Sequence, residues 1–213
     1  MKVIRMACIL FNEVTMLDFH GFFDAVTRLN RVEGFGRLTY DLCALEEEIT
    51  DDRGMTVRIP KRIGDLSGYD MLFIPGGMGT RELQLDPEFL AWLRTAESVP
   101  LKISVCTGAL LLGAAGFLEG KRATTNPGLY KGIRPYCSEV LHSRIVRDGG
   151  VITAGGVAAS IDLGLYVAEQ LAGVEAVRIV QKSMDYPYYR AGSAAQDLYD
   201  AAAAVDAAGQ GGL

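Results

Sequence analysis

Apolar residues follow two rhythms along this chain. Short blocks rich in apolar residues lie at 3–11, 38–45, 71–74, 102–105 and 151–154. Between them are longer stretches at 17–32, 87–96, 107–118 and 157–171, where apolar residues return every three or four positions. The first rhythm predicts strands and the second helices. In 17–32 the buried stripe is carried by Phe19, Phe22, Phe23, Val26 and Leu29. Pro87 suits the first turn of its helix. The helix beginning at Thr107 is expected to stop near Gly116 to Gly120. A short extended piece is expected at 55–60. Two strands, 141–147 and 151–154, are expected around a turn at Asp148-Gly149-Gly150. The 157–171 helix should end at Gly173, with another over 174–184.

Strands alternating with helices imply a mostly parallel sheet covered on both faces, an α/β fold. Such folds bind ligands at the carboxyl ends of their strands. Three strand ends here carry glycine: Pro75-Gly76-Gly77, Cys106-Thr107-Gly108 and Ala154-Gly155-Gly156. Glycine also serves tight turns with no chemistry attached, so the glycines alone do not define a site. The expected organisation is one domain over 1–195 and an Ala/Gly-rich tail over 196–213.

Composition narrows the function. Of 213 residues 49 % are hydrophobic, enough for a large core, and the formal net charge is −5, which argues against a nucleic-acid or membrane-surface binder. No apolar run is long enough to cross a bilayer. The amino terminus runs directly into a strand pattern without a leader-like cleavage site, so a cytoplasmic location is expected. The four cysteines, Cys8, Cys43, Cys106 and Cys137, form no C-x-x-C pair and should be free thiols in a reducing compartment. Cys8 and Cys43 fall in apolar strands and are expected to pack. With His20 and His142 as the only histidines, no multi-histidine metal site is expected. Glu46-Glu47-Glu48 and Asp51-Asp52-Arg53 read as a solvated loop, Asp162 as a first-turn carboxylate or ion-pair partner, and Trp92 as helix–sheet packing. The segment from Asp185 to Arg190 reads as a packed tail, with part of a dimer or pocket rim as its alternative.

Cys106 ends one strand and precedes a helix, beside free backbone N–H groups and the positive end of a helix dipole. That placement is expected to favour the thiolate, a nucleophile. Its bland alternative is a small buried hydrophobe ending a strand. A thiolate also needs a proton partner and a place for negative charge. The amides of Gly77 and Thr107 are candidates for the charge. Asp18, just after the first strand, is the candidate acid/base, with helix N-capping as its alternative role.

Several motifs together carry a resemblance. Ser104 to Gly116 is similar to the nucleophile elbow of the ThiJ/PfpI superfamily. Pro75-Gly76-Gly77, Arg122-Ala123-Thr124-Thr125, and Arg147-Asp148-Gly149 leading into Ile152-Thr153-Ala154-Gly155-Gly156 also fit. Leu17-Asp18, Cys106-Thr107-Gly108 and Ala159-Ser160-Ile161-Asp162 resemble the isocyanide (isonitrile) hydratase branch. The resemblance implies a flavodoxin-like three-layer sandwich, a homodimer, and no metal or organic cofactor. It implies hydration of a small-molecule isocyanide to a formamide, with Cys106 as nucleophile and Asp18 as acid/base. Thr107 would hold Asp18 or water, and Gly77 and Thr107 would support charge. Gly76, Asn126, Gly155 and Val157 would line the substrate. The branch carries His-Trp where this chain has Asn126-Pro127, so the pocket wall differs. A redox-sensing role through Cys106 and a glyoxal-handling activity are the alternatives. The related transcription regulators carry a DNA-binding half, and no such half is expected here.

Overall fold

The computed structural model describes residues 3–192 and the backbone of residues 198–200. Five parallel strands make up most of the sheet: β1 (Val3–Ile9), β2 (Arg37–Cys43), β5 (Met71–Ile74), β6 (Leu101–Val105) and β10 (Val151–Ala154). Two short strands, β3 (Glu48–Thr50) and β4 (Thr56–Arg58), pair separately as a ribbon, as do β7 (Arg122–Ala123) and β8 (Glu139–Val140). With β9 (Ile145–Asp148) and β11 (Leu198–Asp200), the main sheet has the order β11-β9-β10-β6-β5-β1-β2 among the described residues. Every pairing in it is parallel except β9 with β10, which closes the expected Asp148-Gly149-Gly150 turn. The mostly parallel α/β sandwich is therefore as expected.

Burial explains the two strand types. β5 and β10 are buried at every position, and β6 at all but its first residue, because helices cover both faces. The edge strand β2 keeps only Leu38 and Cys43 buried. Helix α1 (Met16–Thr27) packs against α6 (Ala159–Met184), while α4 (Gly108–Ala114) packs with α2 (Thr80–Leu83) and α5 (Tyr130–Ile133). The chain leaves β1 toward β2 on one side and β5 toward β6 on the other. Right-handed crossovers then place the intervening helices on opposite faces. The stretch from β5 to β6 contains α3 (Pro87–Arg94), capped by the Asp86 carboxylate, which accepts the N–H groups of Glu88 and Phe89.

The α1–α6 crossing is close because Gly164 has no side chain. A Cβ there would stand 2.7 Å from both the Phe22 carbonyl oxygen and the Ala25 methyl carbon. Gly164→Ala should therefore destabilise the fold: overpacking costs about 1–3 kcal/mol, only partly offset by about 1 kcal/mol of helix propensity. Urea titration of the two proteins reads this directly, and an unchanged midpoint would contradict it. Gly173, at φ 82°, interrupts α6 where the sequence places a helix end.

The structure corrects several boundaries. The helix expected over 107–118 is shorter, ending at Ala114, and tight turns carry the chain to Gly116. Residues 141–144 are not strand. The acidic stretch 46–48 is exposed as expected, but it runs into β3, and Asp51 is buried. Its Oδ1 accepts the N–H groups of Arg53 and Met55 at 2.9 and 2.7 Å, so this carboxylate builds the β3–β4 turn. Cys8 and Cys43 are buried, as expected. Trp92 is buried, and its indole N–H also reaches the Ile63 carbonyl at 2.7 Å, pinning the loop before β5. The segment from Asp185 to Arg190 packs on α6 through the Tyr186 and Tyr189 hydroxyls, which donate to Asp162 and Glu169. Strand β11 lies inside the segment assigned to the tail and lengthens the sheet beside β9. Residues 193–197 and 201–213 of the expected domain end and tail lie outside the described residues. Among the described residues no helix is long and apolar enough to cross a membrane.

Candidate active site

The strands β1, β5, β6 and β10 lie in a continuous row, reading across the sheet order from right to left. Their carboxyl ends bring together Asp18 (after β1), Gly76 (after β5), Cys106 (after β6) and Gly155 (after β10). The chain winds in opposite directions from β1 and from β5, so this is the switch point where a crevice opens in such sheets.

Cys106 has a φ of 54°, a left-handed conformation rare for a residue with a Cβ. Such a conformation costs on the order of 1–3 kcal/mol and persists only when its surroundings determine it. Here they do. The Cys106 N–H donates to the carbonyls of Gly155 at 2.8 Å and Ala154 at 3.0 Å. Its carbonyl accepts the Thr125 hydroxyl at 2.6 Å. Thr125 is a site residue that sequence reasoning did not single out, although it lies in one of the motifs quoted above. The sulfur is buried, with the residue 6 % exposed.

Asp18 is fully buried in the first turn of α1. The Gly76 N–H donates to its Oδ2 at 3.0 Å, whereas Oδ1 has no partner. Gly76 allows the carboxyl and the thiol to approach. A Cβ at this position would lie 2.8 Å from Asp18 Oδ2, 2.8 Å from the Cys106 Cβ and 2.7 Å from the Thr107 nitrogen. Asp18 and Cys106 consequently influence each other's titration. Burial lifts the Asp18 carboxyl to about 7, against the lowering effect of hydrogen bonds from Cys106 and Gly76. Burial also lifts the Cys106 thiol to about 12, and the Asp18 charge adds to it. The Thr107 amide and the Asn126 side chain act the other way. Desolvation and the facing carboxylate thus oppose the resting thiolate that the elbow was expected to favour. A proton moving from sulfur to Asp18 leaves the pair's net charge unchanged, so the pair can generate the thiolate internally.

Thr107 and Gly77 are arranged differently from expectation. The Thr107 hydroxyl does not reach for Asp18. It donates to the Gly77 carbonyl at 3.0 Å and accepts the Gly77 N–H at 2.9 Å. The Gly77 N–H is therefore spent on Thr107, and it is Gly76 whose N–H serves the carboxylate. The Thr107 amide keeps the role of facing the sulfur. The Asn126 Nδ2 lies 3.7 Å from the Cys106 sulfur, and its Oδ1 accepts the Gly128 N–H at 3.0 Å, which fixes the amide's orientation. Gly156 stands beside that amide, since a Cβ there would come within 2.6 Å of Nδ2. Gly155 is buried and Val157 half-buried at the entrance to α6. His20 is exposed, set edge-on to Phe19 on α1. Among the described residues no group of three His, Cys, Asp or Glu side chains could hold a metal ion.

With this geometry in place, comparison with known proteins is specific. Residues 5–170 match the DJ-1/PfpI family. The chain is 34 % identical over 185 residues to an isonitrile hydratase from Pseudomonas putida, covering 86 % of this chain and 78 % of that one. It is 30 % identical over 122 residues to protein DJ-1alpha from Drosophila melanogaster, covering 56 % of each. Among solved structures, a ThiJ/PfpI family protein from Pseudomonas syringae superposes with a TM-score of 0.77 at 27 % identity, covering 98 % of this chain and 85 % of that one. DJ-1beta from Drosophila melanogaster superposes with a TM-score of 0.76 at 23 % identity, covering 88 % and 100 %, a likeness of fold.

Proposed function

Because the chain belongs to the DJ-1/PfpI family, we propose that it is a cysteine hydratase that converts an isocyanide to an N-substituted formamide. The observation that carries this reading is the buried Asp18–Cys106 pair, whose carboxyl titrates near 7 and faces the thiol. The likeness to an isonitrile hydratase supports the choice of substrate.

The chemistry balances without a redox step. The sulfur of Cys106 bonds to the terminal carbon of R–N≡C as the thiol proton passes through Asp18 to that carbon, giving the thioimidate R–N=CH–S–Cys106. The Thr107 amide and Asn126 Nδ2 face the sulfur and moderate its charge during attack. Water then adds to the same carbon. Asp18 takes a proton from it as the nitrogen gains one. The C–S bond breaks, the sulfur recovers its proton, and R–NH–CHO leaves. A carboxyl titrating near working pH suits both directions of this transfer. A homodimer remains the expected setting on the family likeness, and a cytoplasmic location on the sequence pattern.

The test is formamide formation from a panel of alkyl and aryl isocyanides. Run in D₂O, it should place deuterium on the formyl carbon, because that hydrogen comes from the thiol and Asp18. A folded protein whose Cys106 alkylates but makes no formamide from any member would sink the hydratase reading. The sensing and glyoxal-handling alternatives would then lead.

A further inference from the structure

The turn after β10 does two things at once. Its carbonyls at Ala154 and Gly155 receive the Cys106 N–H, and its next residues start α6. That start has no side-chain cap, as Ala158 stands in the capping position. Something else must hold the turn, because a turn free to shift would release the left-handed conformation of Cys106.

Arg144 grips it on both sides. Its main-chain carbonyl accepts the Gly155 N–H at 2.9 Å, extending the β9–β10 pairing by one step past Ala154. Its guanidinium crosses to the first turn of α6 and holds Asp162, with Nε 2.6 Å from Oδ2 and Nη2 on the same oxygen. The other carboxylate oxygen, Oδ1, accepts the Tyr186 hydroxyl at 3.1 Å, so Asp162 cannot swing away. Its side chain is only 12 % exposed, which favours a single fixed geometry. The stretch from Gly155 to Asp162 is thereby fastened at both ends to one residue. Ser160 also anchors the helix start, but to the Leu17 carbonyl of α1 rather than to the turn.

We propose that Arg144 and Asp162 are positioning residues for the nucleophile: their ion pair clamps the turn whose carbonyl groups hold the Cys106 main chain in its left-handed conformation. The proposal rests on reading Cys106 as the nucleophile. The ion pair acts on Cys106 through the backbone and touches no reacting atom.

The experiment follows alkylation of each cysteine by iodoacetamide at pH 8, resolved by peptide mass spectrometry, in the unsubstituted protein and in Arg144→Met, Arg144→Lys and Asp162→Asn. Releasing the elbow moves the sulfur out of its desolvated position facing Asp18. One pH unit of relaxation in the thiol's titration gives about tenfold more thiolate. Cys106 should therefore alkylate about tenfold faster in Arg144→Met. Arg144→Lys, which keeps the charge but not the two-nitrogen grip, should fall between. The core thiols Cys8 and Cys43 act as internal controls, because loosening of the whole fold would speed all three together. Hydration, where measured, should lose kcat with KM retained. A Cys106 rate unchanged in Arg144→Met and Asp162→Asn, or one that rises only in step with Cys8 and Cys43, would overturn the clamp. If Arg144→Met does not fold, Asp162→Asn decides by the same reading, since it keeps the shape and a hydrogen bond to Tyr186. Alkylation needs no isocyanide, so failure of the hydratase reading would show separately, as absent formamide from the unsubstituted protein.

Discussion

Cys106→Ala should abolish formamide production while the protein stays folded. Without the sulfur there is no thioimidate, and water must attack an isocyanide carbon unaided. Loss of an enzyme's covalent nucleophile typically costs at least about 10⁴-fold in kcat. The fold should not register the change to the same degree. Alanine keeps the Cβ, so the left-handed strain at position 106 remains, and the hydrogen bonds to Ala154, Gly155 and Thr125 all use the main chain of residue 106. Only the sulfur's packing is lost, a change of about 1 kcal/mol. Steady-state kinetics beside a thermal melt separates the two effects. Turnover retained in this variant would remove Cys106 from the mechanism, whatever the melt showed.

Asp18→Asn should split catalysis from stability in opposite directions. An amide cannot ferry the proton, so hydration should fall by about 10²–10⁴-fold, the range for a general acid/base. Stability should rise above neutral pH. In the unfolded chain this carboxyl titrates in the ordinary range near 4, whereas burial holds it near 7 in the folded protein. Between those values the folded state binds more protons, so stability falls as pH rises from about 4 to 7 and stays reduced above. The ionised carboxyl thus costs on the order of 4 kcal/mol at alkaline pH. Asparagine carries no such cost and keeps an oxygen for the Gly76 N–H. Denaturation at pH 4 and pH 8 reads the difference: the variant's advantage should appear at pH 8 and vanish near pH 4. An equal advantage at both values would mean that packing, and not charge, sets it, and full hydration activity in the variant would deny Asp18 its role.

The fold was legible because its signal is repeated. Blocks such as Met71–Ile74 are buried on both faces, and the stripe from Phe19 to Leu29 has a single period, so local pattern and final environment agree. The placement of Cys106 and Asp18 was legible for a related reason: both lie at strand ends, where an α/β sheet opens. What escaped were relations between distant segments. Nothing in Arg144 or Asp162 alone tells that one will hold the other across α6. The exchange of hydrogen bonds between Thr107 and Gly77 depends on how near β5 and β6 bring their loops. A strand-to-helix junction likewise reveals a dipole at Cys106 but not how deeply the residue is buried, nor that an acid faces it. Asp51 was misread in the same way: a run of charges looks solvated until one of them is turned inward to close a hairpin.

The missing side chain at Gly76 also says where this protein can change. Any substituent there meets the Asp18 carboxyl oxygen, the Cys106 Cβ and the Thr107 nitrogen at once, so only glycine leaves room for the spacing of the pair. Selection cannot adjust that spacing by small steps. The opposite wall is less confined, with Asn126 partly exposed, Pro127 and Gly128 at the surface, and Val157 and Ala158 open to solvent to different degrees. Descendants of this sequence, or libraries made from it, should keep one reaction centre and diversify in what they admit to it.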